Sequence, residues 1–472
     1  MSFLSIQFFL FIILVFVIFY RAKKRATQLN ILLAASYVFY AYWDYRFLFL
    51  LLFQTIVSYM SAKLIEKGSS ERDKKVIVRI SVFILLLVLG VFKYFNFFVD
   101  TFCRAFNFES GFNFNIILPV GISFYTFQAI SYVVDVYRNE INAECSFKNI
   151  ALYIGFFPQL LSGPIVRSVN FLPQLKQKYC FNKANMWIAI QIFINGVVKK
   201  YVIADRLSVC VDAVFAAPNA YNAPSLICAA IAYSFQLYCD FSGYSDMAIG
   251  IAKLFGFDLG RNFSIPYTTA NPTVFWKHWH ISLSTWLQKY LYIALGGNQK
   301  GKINTNVNLM LTMILGGLWH GANWTFVLWG TFHGVALVLH KWFMQLSQKR
   351  EIRTENRTVA EIKHWLFAGV NFIFVTICWI FFRAGTVSDA FLILARIVNW
   401  SSGVNYIYVY TIIYGVVIMI ANVVAYYKNS GEGFYCIFEM EKFSSKIVFC
   451  CVVWLIILLA YVSNNPFIYA QF

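Results

Sequence analysis

The sequence predicts an all-α polytopic membrane protein, and three observations carry that prediction. Hydrophobic residues make up 60% of the 472 positions and charged residues only 13%, about half of the roughly 25% typical of soluble domains. Too few charges remain to coat a water-facing surface. Apolar runs such as Phe3 to Tyr20 and Ile80 to Phe92 reach or approach the length of about 20 residues that a helix needs to cross a hydrocarbon core. The 39 basic residues, against 21 acidic, gather in short segments between such runs, where cytoplasmic loops retain Lys and Arg. A net charge of +18 would suggest a nucleic-acid partner in a soluble protein. Here it is read as topology, with the lipid bilayer and no nucleic acid as the partner.

The elements follow in order. Phe3 to Tyr20 has no Lys or Arg before it, Arg21, Lys23, Lys24 and Arg25 after it, and no small-x-small cleavage site. It is therefore expected to be an uncleaved first span running from outside to inside. Leu29 to Trp43 returns, and Phe47 to Ile65 enters again, with Lys63, Lys67, Arg72, Lys74, Lys75 and Arg79 around and beyond its end. Val78 to Phe98 exits, Asp100 to Asn115 is a charge-poor outer loop, and Ile116 to Val136 brings Arg138 to Lys148 inside. Tyr153 to Val166 is apolar but short, carries Gln159 and is interrupted by Pro158, Gly163 and Pro164, which suits a re-entrant segment better than a span.

Met186 to Ala204 and Ser225 to Phe255 are longer helical regions. Ile265 to Gly297 mixes aromatics with Lys277, His278, His280 and Lys289, and a polar block at that depth cannot face lipid. Ordinary spans resume with Val307 to Trp319, Trp324 to Trp342, Trp365 to Phe382, Tyr406 to Tyr427 and Val448 to Val462, for a total of about 11. The loop from Lys341 to Lys363 carries six Lys or Arg against three Glu, which makes it cytoplasmic. No internal repeat of solenoid length occurs, nor a symmetric pair of interrupted half-helices of the transporter kind. The chain is read as one membrane domain over 1–472, with its catalytic region at 116–340.

The ten cysteines lie mostly in apolar stretches (Cys210, Cys228, Cys239, Cys378, Cys450, Cys451), with no CxxC pair and no histidine at ligand spacing. Neither a disulfide framework nor a metal site is expected. Chemistry points to the six histidines: His278, His280, His320, His333, His340 and His364. Ionisable groups within spans are costly and usually line a cavity or relay protons. His320 ends an apolar span between small residues, in Gly316-Gly317-Leu318-Trp319-His320-Gly321-Ala322; the plainer reading is a helix-end histidine bonded to a carbonyl.

In Phe275 to Trp286, helical residues two apart point about 200° from one another, so His278 and His280 could not share one wall. The same geometry disfavours a two-histidine metal site on one helix face. Ser284, four after His280, could form a Ser-His pair, but no Gly-x-Ser-x-Gly elbow accompanies it; packing or a bond to a backbone carbonyl is the simpler role. A neutral imidazole, with an unperturbed pKa of about 6.5 and favoured in that form by an apolar surround, is a fitting base for acyl transfer. His320 is thus the expected base, with His280 lining the same path.

Asp240 and Asp246 need partners such as Arg261 or Lys277, and structural ion pairing is the expected role of both. Asp205 beside Arg206 and Asp135 near Arg138 read as interfacial pairs, and Lys199 and Lys200 as snorkelling side chains or phosphate contacts.

Laid out this way, the chain resembles the membrane-bound O-acyltransferase (MBOAT) family, and within it the bacterial alginate O-acetyltransferase AlgI type. The resemblance rests on several ordered blocks: Leu118 to Gln128, Phe157 to Arg167, Asp240 to Gly250, Phe275 to Trp286, Trp319-His320-Gly321 and the closing Pro466 to Phe472. It implies that His320 matches the family's catalytic histidine and His280 the second histidine of its reaction chamber. His278 stands where the family usually has Arg, which leaves no matched role for it. His333, in Trp329-Gly330-Thr331-Phe332-His333-Gly334, matches a recurring pattern compatible with a structural role; His340 and His364 are assigned to interfaces.

The implied fold is a ring of helices with re-entrant segments around a central funnel whose floor holds the catalytic histidine. The implied activity is transfer of an acetyl group from a cytoplasmic thioester, acetyl-CoA being the expected donor, outward to hydroxyls of a polysaccharide such as alginate, peptidoglycan or cellulose. No bound cofactor is implied. An esterase-like extracytoplasmic protein is the expected partner, and the bacterial plasma membrane the location. The rival within the family is a D-alanyl transferase of the DltB kind; the rival outside it is a glycan or lipid transporter that consumes no thioester.

Overall fold

The structure is a computed structural model that describes residues 3, 5–106, 116–161, 163–347, 357–427 and 438–461. Residues 107–115 of the expected outer loop, Ser162, Lys349, Arg350 and Arg353 of the basic loop, and the closing Pro466 to Phe472 lie outside the described residues. The described chain is helical throughout, and its one β feature is an isolated bridge between Tyr221 and Val404. It divides into two compact units, Met1–Phe193 with Ser245–Gly260, and Ile194–Tyr244 with Arg261–Phe472.

In the first unit, α1 (Ile6–Arg21), α2 (Arg25–Asp44), α3 (Leu48–Lys67) and α4 (Glu71–Ala105) follow one another through short turns. Helix starts are written in the sequence: Ser5 accepts from the Phe8 N–H, and Ser70 from the Asp73 N–H, with Glu71 and Asp73 in the first turn where the helix dipole favours negative charge. α1 is apolar all round, yet only Phe8, Val15 and Phe19 are buried while Leu10, Ile13 and Leu14 face outward. That is the pattern of a helix solvated by lipid. Where α3 and α4 meet, polar atoms are satisfied within the packing: the Ser81 hydroxyl lies 2.7 Å from that of Ser61 and 2.6 Å from the Ile77 carbonyl.

α5 (Ile122–Tyr137) and α6 (Phe147–Gly155) follow in the same unit, and a one-turn helix, Phe157–Leu160, comes directly after α6. Tyr153 to Val166 is thus a broken segment, as Pro158 and Gly163 foretold. Gly121 begins α5 in the left-handed region (φ +78°), and a Cβ there would lie 2.4 Å from the Leu160 carbonyl oxygen. The two motif blocks therefore dock backbone to backbone through that glycine. Asp135 takes Arg167 (2.9 Å) and the Ser168 hydroxyl (3.0 Å), and Arg167 also reaches Glu140. The partner the structure shows for Asp135 is thus the arginine that ends the second block.

The chain continues with α7 (Lys183–Ala216) and α8 (Ala223–Leu254). Within the second unit follow two short helices, α9 (Pro272–His278) and α10 (Ile281–Trp286), and then α11 (Gly301–His320), α12 (Trp324–Ser347), α13 (Arg357–Arg383), α14 (Val387–Val398), α15 (Val409–Tyr427) and α16 (Phe443–Leu459). Five helical stretches are long and apolar enough to cross a membrane: 25–67, 71–105, 183–216, 357–383 and 409–427. The protein is an all-α, multi-pass membrane protein.

Two features of the second unit position its polar side chains. Lys200 lies in a π-helical stretch (Val198–Ala204), is buried, and bridges Asp205 (2.9 Å) and Asp240. Asp240 thus has an ion pair, as expected, and the partner that the structure shows for it is Lys200. α11 and α12 approach closely enough that a Cβ on Gly317 would lie 2.3 Å from the Phe326 carbonyl oxygen, and one on Gly330 2.3 Å from that of Met313. Small residues at such a crossing let helix backbones touch. The tight Gly321 to Asn323 turn between them holds His320 at the end of α11.

Candidate active site

The block Phe275 to Trp286 is not one helix. α9 ends at His278, the chain turns at Trp279, and His280 adopts a left-handed backbone (φ +43°) that caps α10. A non-glycine residue held there costs conformational energy and marks a site that the surroundings over-determine. Asn262 supplies part of that restraint. Its side-chain oxygen accepts from His280 Nδ1 (3.0 Å) and the Ser282 hydroxyl (2.8 Å), while its backbone carbonyl accepts from the Ile281 N–H (2.8 Å). Because Nδ1 carries the donated proton, Nε2 is the acceptor nitrogen of this imidazole.

The expectation that a continuous helix turns His278 and His280 apart therefore has the wrong premise; the break at Trp279 sets their directions. His278 Nδ1 donates to the Val274 carbonyl (2.8 Å). Ser284 turns its hydroxyl to the Trp279 carbonyl (3.2 Å), the backbone role foreseen for it.

His320 is 3% exposed and stands among rings: Trp319 (5.0 Å between centroids), Trp329 (5.0 Å) and Phe382 (5.3 Å). His280 lies 6.0 Å from the same Trp319 ring and edge-on to Phe241 at 4.6 Å. The two histidines thus share one tryptophan as neighbour. A cavity of about 500 Å³ opens beside them, and His320 lines it. Among the described residues His280 does not. One wall follows α11 through Leu309, Thr312, Met313 and Gly316 to His320, a length of about 16 Å at 1.5 Å per residue. The rest of the lining mixes Trp276, Ile281, Leu283 and Leu287 with Lys277, Ser284, Thr285 and Gln288. A largely apolar cavity with a few polar groups and a buried imidazole on its lining has the form of a small-molecule site.

Of the remaining histidines, His340 shares a hydrogen bond of 2.9 Å with the Thr273 hydroxyl, and His364 stacks on Tyr426 (4.9 Å). Both join helices. Lys199 lies 5.9 Å from the Tyr238 ring centroid. Asn262 and Trp319 were not singled out in the sequence as site residues. A lone Asn in Arg261-Asn262-Phe263 has no periodic or motif signature, and its role rests on contacts 18 residues away.

The sequence matches the membrane-bound O-acyltransferase family over residues 1–385. The chain belongs to that family. It is 39% identical over 385 residues to the probable alginate O-acetylase AlgI of Pseudomonas putida, covering 80% of this chain and 76% of that protein. It is 36% identical over 396 residues to the peptidoglycan O-acetyltransferase of Helicobacter pylori, covering 78% and 73%. Similarity to the teichoic acid D-alanyltransferase of Streptococcus thermophilus is lower, 27% over 260 residues, covering 52% of this chain and 61% of that one. This MBOAT protein is an enzyme, an O-acetyltransferase embedded in the membrane.

Proposed function

We propose that the protein moves an acetyl group from a cytoplasmic thioester to hydroxyls of an extracytoplasmic polysaccharide, alginate or peptidoglycan by its relatives' names, with His320 as general base. The observation that carries this reading is the cavity along α11. It extends from His320 toward Leu309 and, on α12, to Leu337. On the charge rule those helix ends point to the cytoplasm, because the basic loop beyond Lys341 lies there. A thioester arm entering from that side reaches His320 with its acyl end.

In the reaction, His320 takes the proton of the acceptor hydroxyl as its oxygen attacks the thioester carbonyl carbon. The tetrahedral intermediate collapses, the C–S bond breaks, and the imidazolium returns the proton to the departing thiolate. The products are an O-acetyl ester and a free thiol. His280 is the second histidine of the path: Asn262 fixes its tautomer, and it meets the base across Trp319. Lys277, Ser284, Thr285 and Gln288 offer the donor arm its polar contacts. With an esterase-like partner outside the bacterial plasma membrane as relay, the partner's hydroxyl is the acceptor in this step, and its ester is then attacked by a polymer hydroxyl, which releases the partner's hydroxyl again.

Purified protein in nanodiscs, given labelled acetyl-CoA and either oligouronate or peptidoglycan fragments, tests the reading. Thioester consumption with acceptor labelling, abolished in His320→Ala, supports it. A protein that moves glycan or lipid while consuming no thioester sinks it, and consumption of D-alanyl carrier protein alone transfers the reading to the D-alanyl class.

A further inference from the structure

His333 is fully buried on α12, and neither of its ring nitrogens has a hydrogen-bond partner among the described residues. The same holds for the indole nitrogens of Trp276 and Trp329. These three rings form a closed triangle: Trp276 to His333 is 5.1 Å between centroids, Trp329 to His333 4.9 Å, and Trp276 to Trp329 5.7 Å, all edge-on. Trp276 and Trp329 both line the cavity that ends at His320, and Trp329 touches His320 itself.

Counting donors and acceptors shows what the triangle lacks. Each indole supplies one N–H and no acceptor; a neutral imidazole supplies one N–H and one lone pair. Three donors face one acceptor, so at most one is satisfied inside the triangle and at least two need acceptors from elsewhere. Buried polar groups left unmade are expensive, and a phenylalanine at position 333 would fill the ring space without that cost. What the rings want is acceptor oxygen, and an acyl thioester arm, with its thioester and amide carbonyls, is an occupant of the adjoining cavity that brings it.

We propose that Trp276, Trp329 and His333 form a carbonyl-binding wall for the acyl donor, resting on the donor reading above. Trp329, beside His320, donates its Nε1–H to the thioester carbonyl oxygen. As negative charge grows on that oxygen in the tetrahedral intermediate, a preplaced N–H stabilises it more than it stabilises the ground state. His333 is a positioning residue: once the donor is bound, its lone pair takes the Trp276 N–H and so fixes the wall into which Trp329 turns. In the structure these nitrogens are buried, so the proposed contacts require the rings to rotate as the donor enters.

The full-length protein in nanodiscs is assayed with acetyl-CoA as substrate and S-ethyl-CoA, the thioether without the acyl carbonyl, as binding probe. His333→Phe is expected to melt at or above the wild-type temperature yet to lose about ten-fold or more in kcat/KM, and His333→Gln, which keeps a donor and an acceptor, to regain part of it. Trp329→Phe is expected to lose about ten-fold in kcat/KM for acetyl-CoA while binding S-ethyl-CoA within about two-fold of wild type. Kinetics within about two-fold of wild type in both His333→Phe and Trp329→Phe, with His320→Ala inactive, overturn the assignment alone and mean that the rings satisfy one another edge-on. A wild-type protein that consumes no acetyl thioester overturns the donor reading and this wall with it.

Discussion

Asn262 is the residue on which the geometry around His280 turns, and its replacement separates orientation from chemistry. Asn262→Leu leaves the His280 and Ser282 donors without their acceptor, which costs about 1–3 kcal/mol for a buried group. The expected outcome is a lower melting temperature together with a fall in turnover, because the imidazole loses the bond that fixes its tautomer. Asn262→Asp, which keeps an acceptor oxygen, should restore more turnover than Asn262→Leu; if both variants turn over like wild type, the tautomer of His280 is irrelevant to the reaction. The histidines themselves were legible in the sequence because an ionisable group in an apolar block is costly and rare. Asn262 was not, and neither was Lys200 as the partner of Asp240, because both act across tertiary distance. Lys200→Met is expected to strand two buried carboxylates, Asp205 and Asp240, and to destabilise by about 3–5 kcal/mol in a chemical melt. A melt unchanged from wild type would mean that the two acids are held by other groups.

The elements carry the site through close backbone packing. Gly317→Ala places a methyl 2.3 Å from the Phe326 carbonyl oxygen, so α11 and α12 must part. Overpacking of this kind costs about 1–3 kcal/mol, and here it also displaces His320, three residues on. Turnover should therefore fall further than stability does. Gly369→Ala in α13 is the control, since nothing lies within 4 Å of the added methyl; it should melt at or slightly above wild type, by about 0.5–1 kcal/mol of helix propensity, with activity intact. Equal losses in the two variants would show that helix contact at Gly317 does not position His320. Hydropathy made the spans legible, and the broken Tyr153 to Val166 segment with them. It could not reveal the left-handed break at His280, nor the π-helical stretches Gly90–Tyr94, Val198–Ala204 and Leu287–Tyr292. A π turn shifts register by one residue without changing composition, and so leaves no hydropathy mark.

For the whole molecule, the direction of the reaction rests on which membrane face each loop occupies, and the charge distribution makes a sharp prediction. Ser69, between α3 and α4, sits beside Lys67, Arg72, Lys74 and Lys75, and is exposed; Asn219, between α7 and α8, is exposed in a segment without nearby Lys or Arg. In a background with the exposed native cysteines Cys145, Cys180, Cys450 and Cys451 replaced, Ser69→Cys should react with a membrane-impermeant maleimide only after the cells are opened. Asn219→Cys should react in intact cells. If that labelling holds, the charge rule places the Leu309 and Leu337 end of the cavity on the cytoplasmic side, as the proposed donor route requires. Labelling of Ser69→Cys from outside would reverse every span in register. The cavity would then open where no cytoplasmic thioester can enter, and the proposed reaction would need an outward-lying acyl carrier.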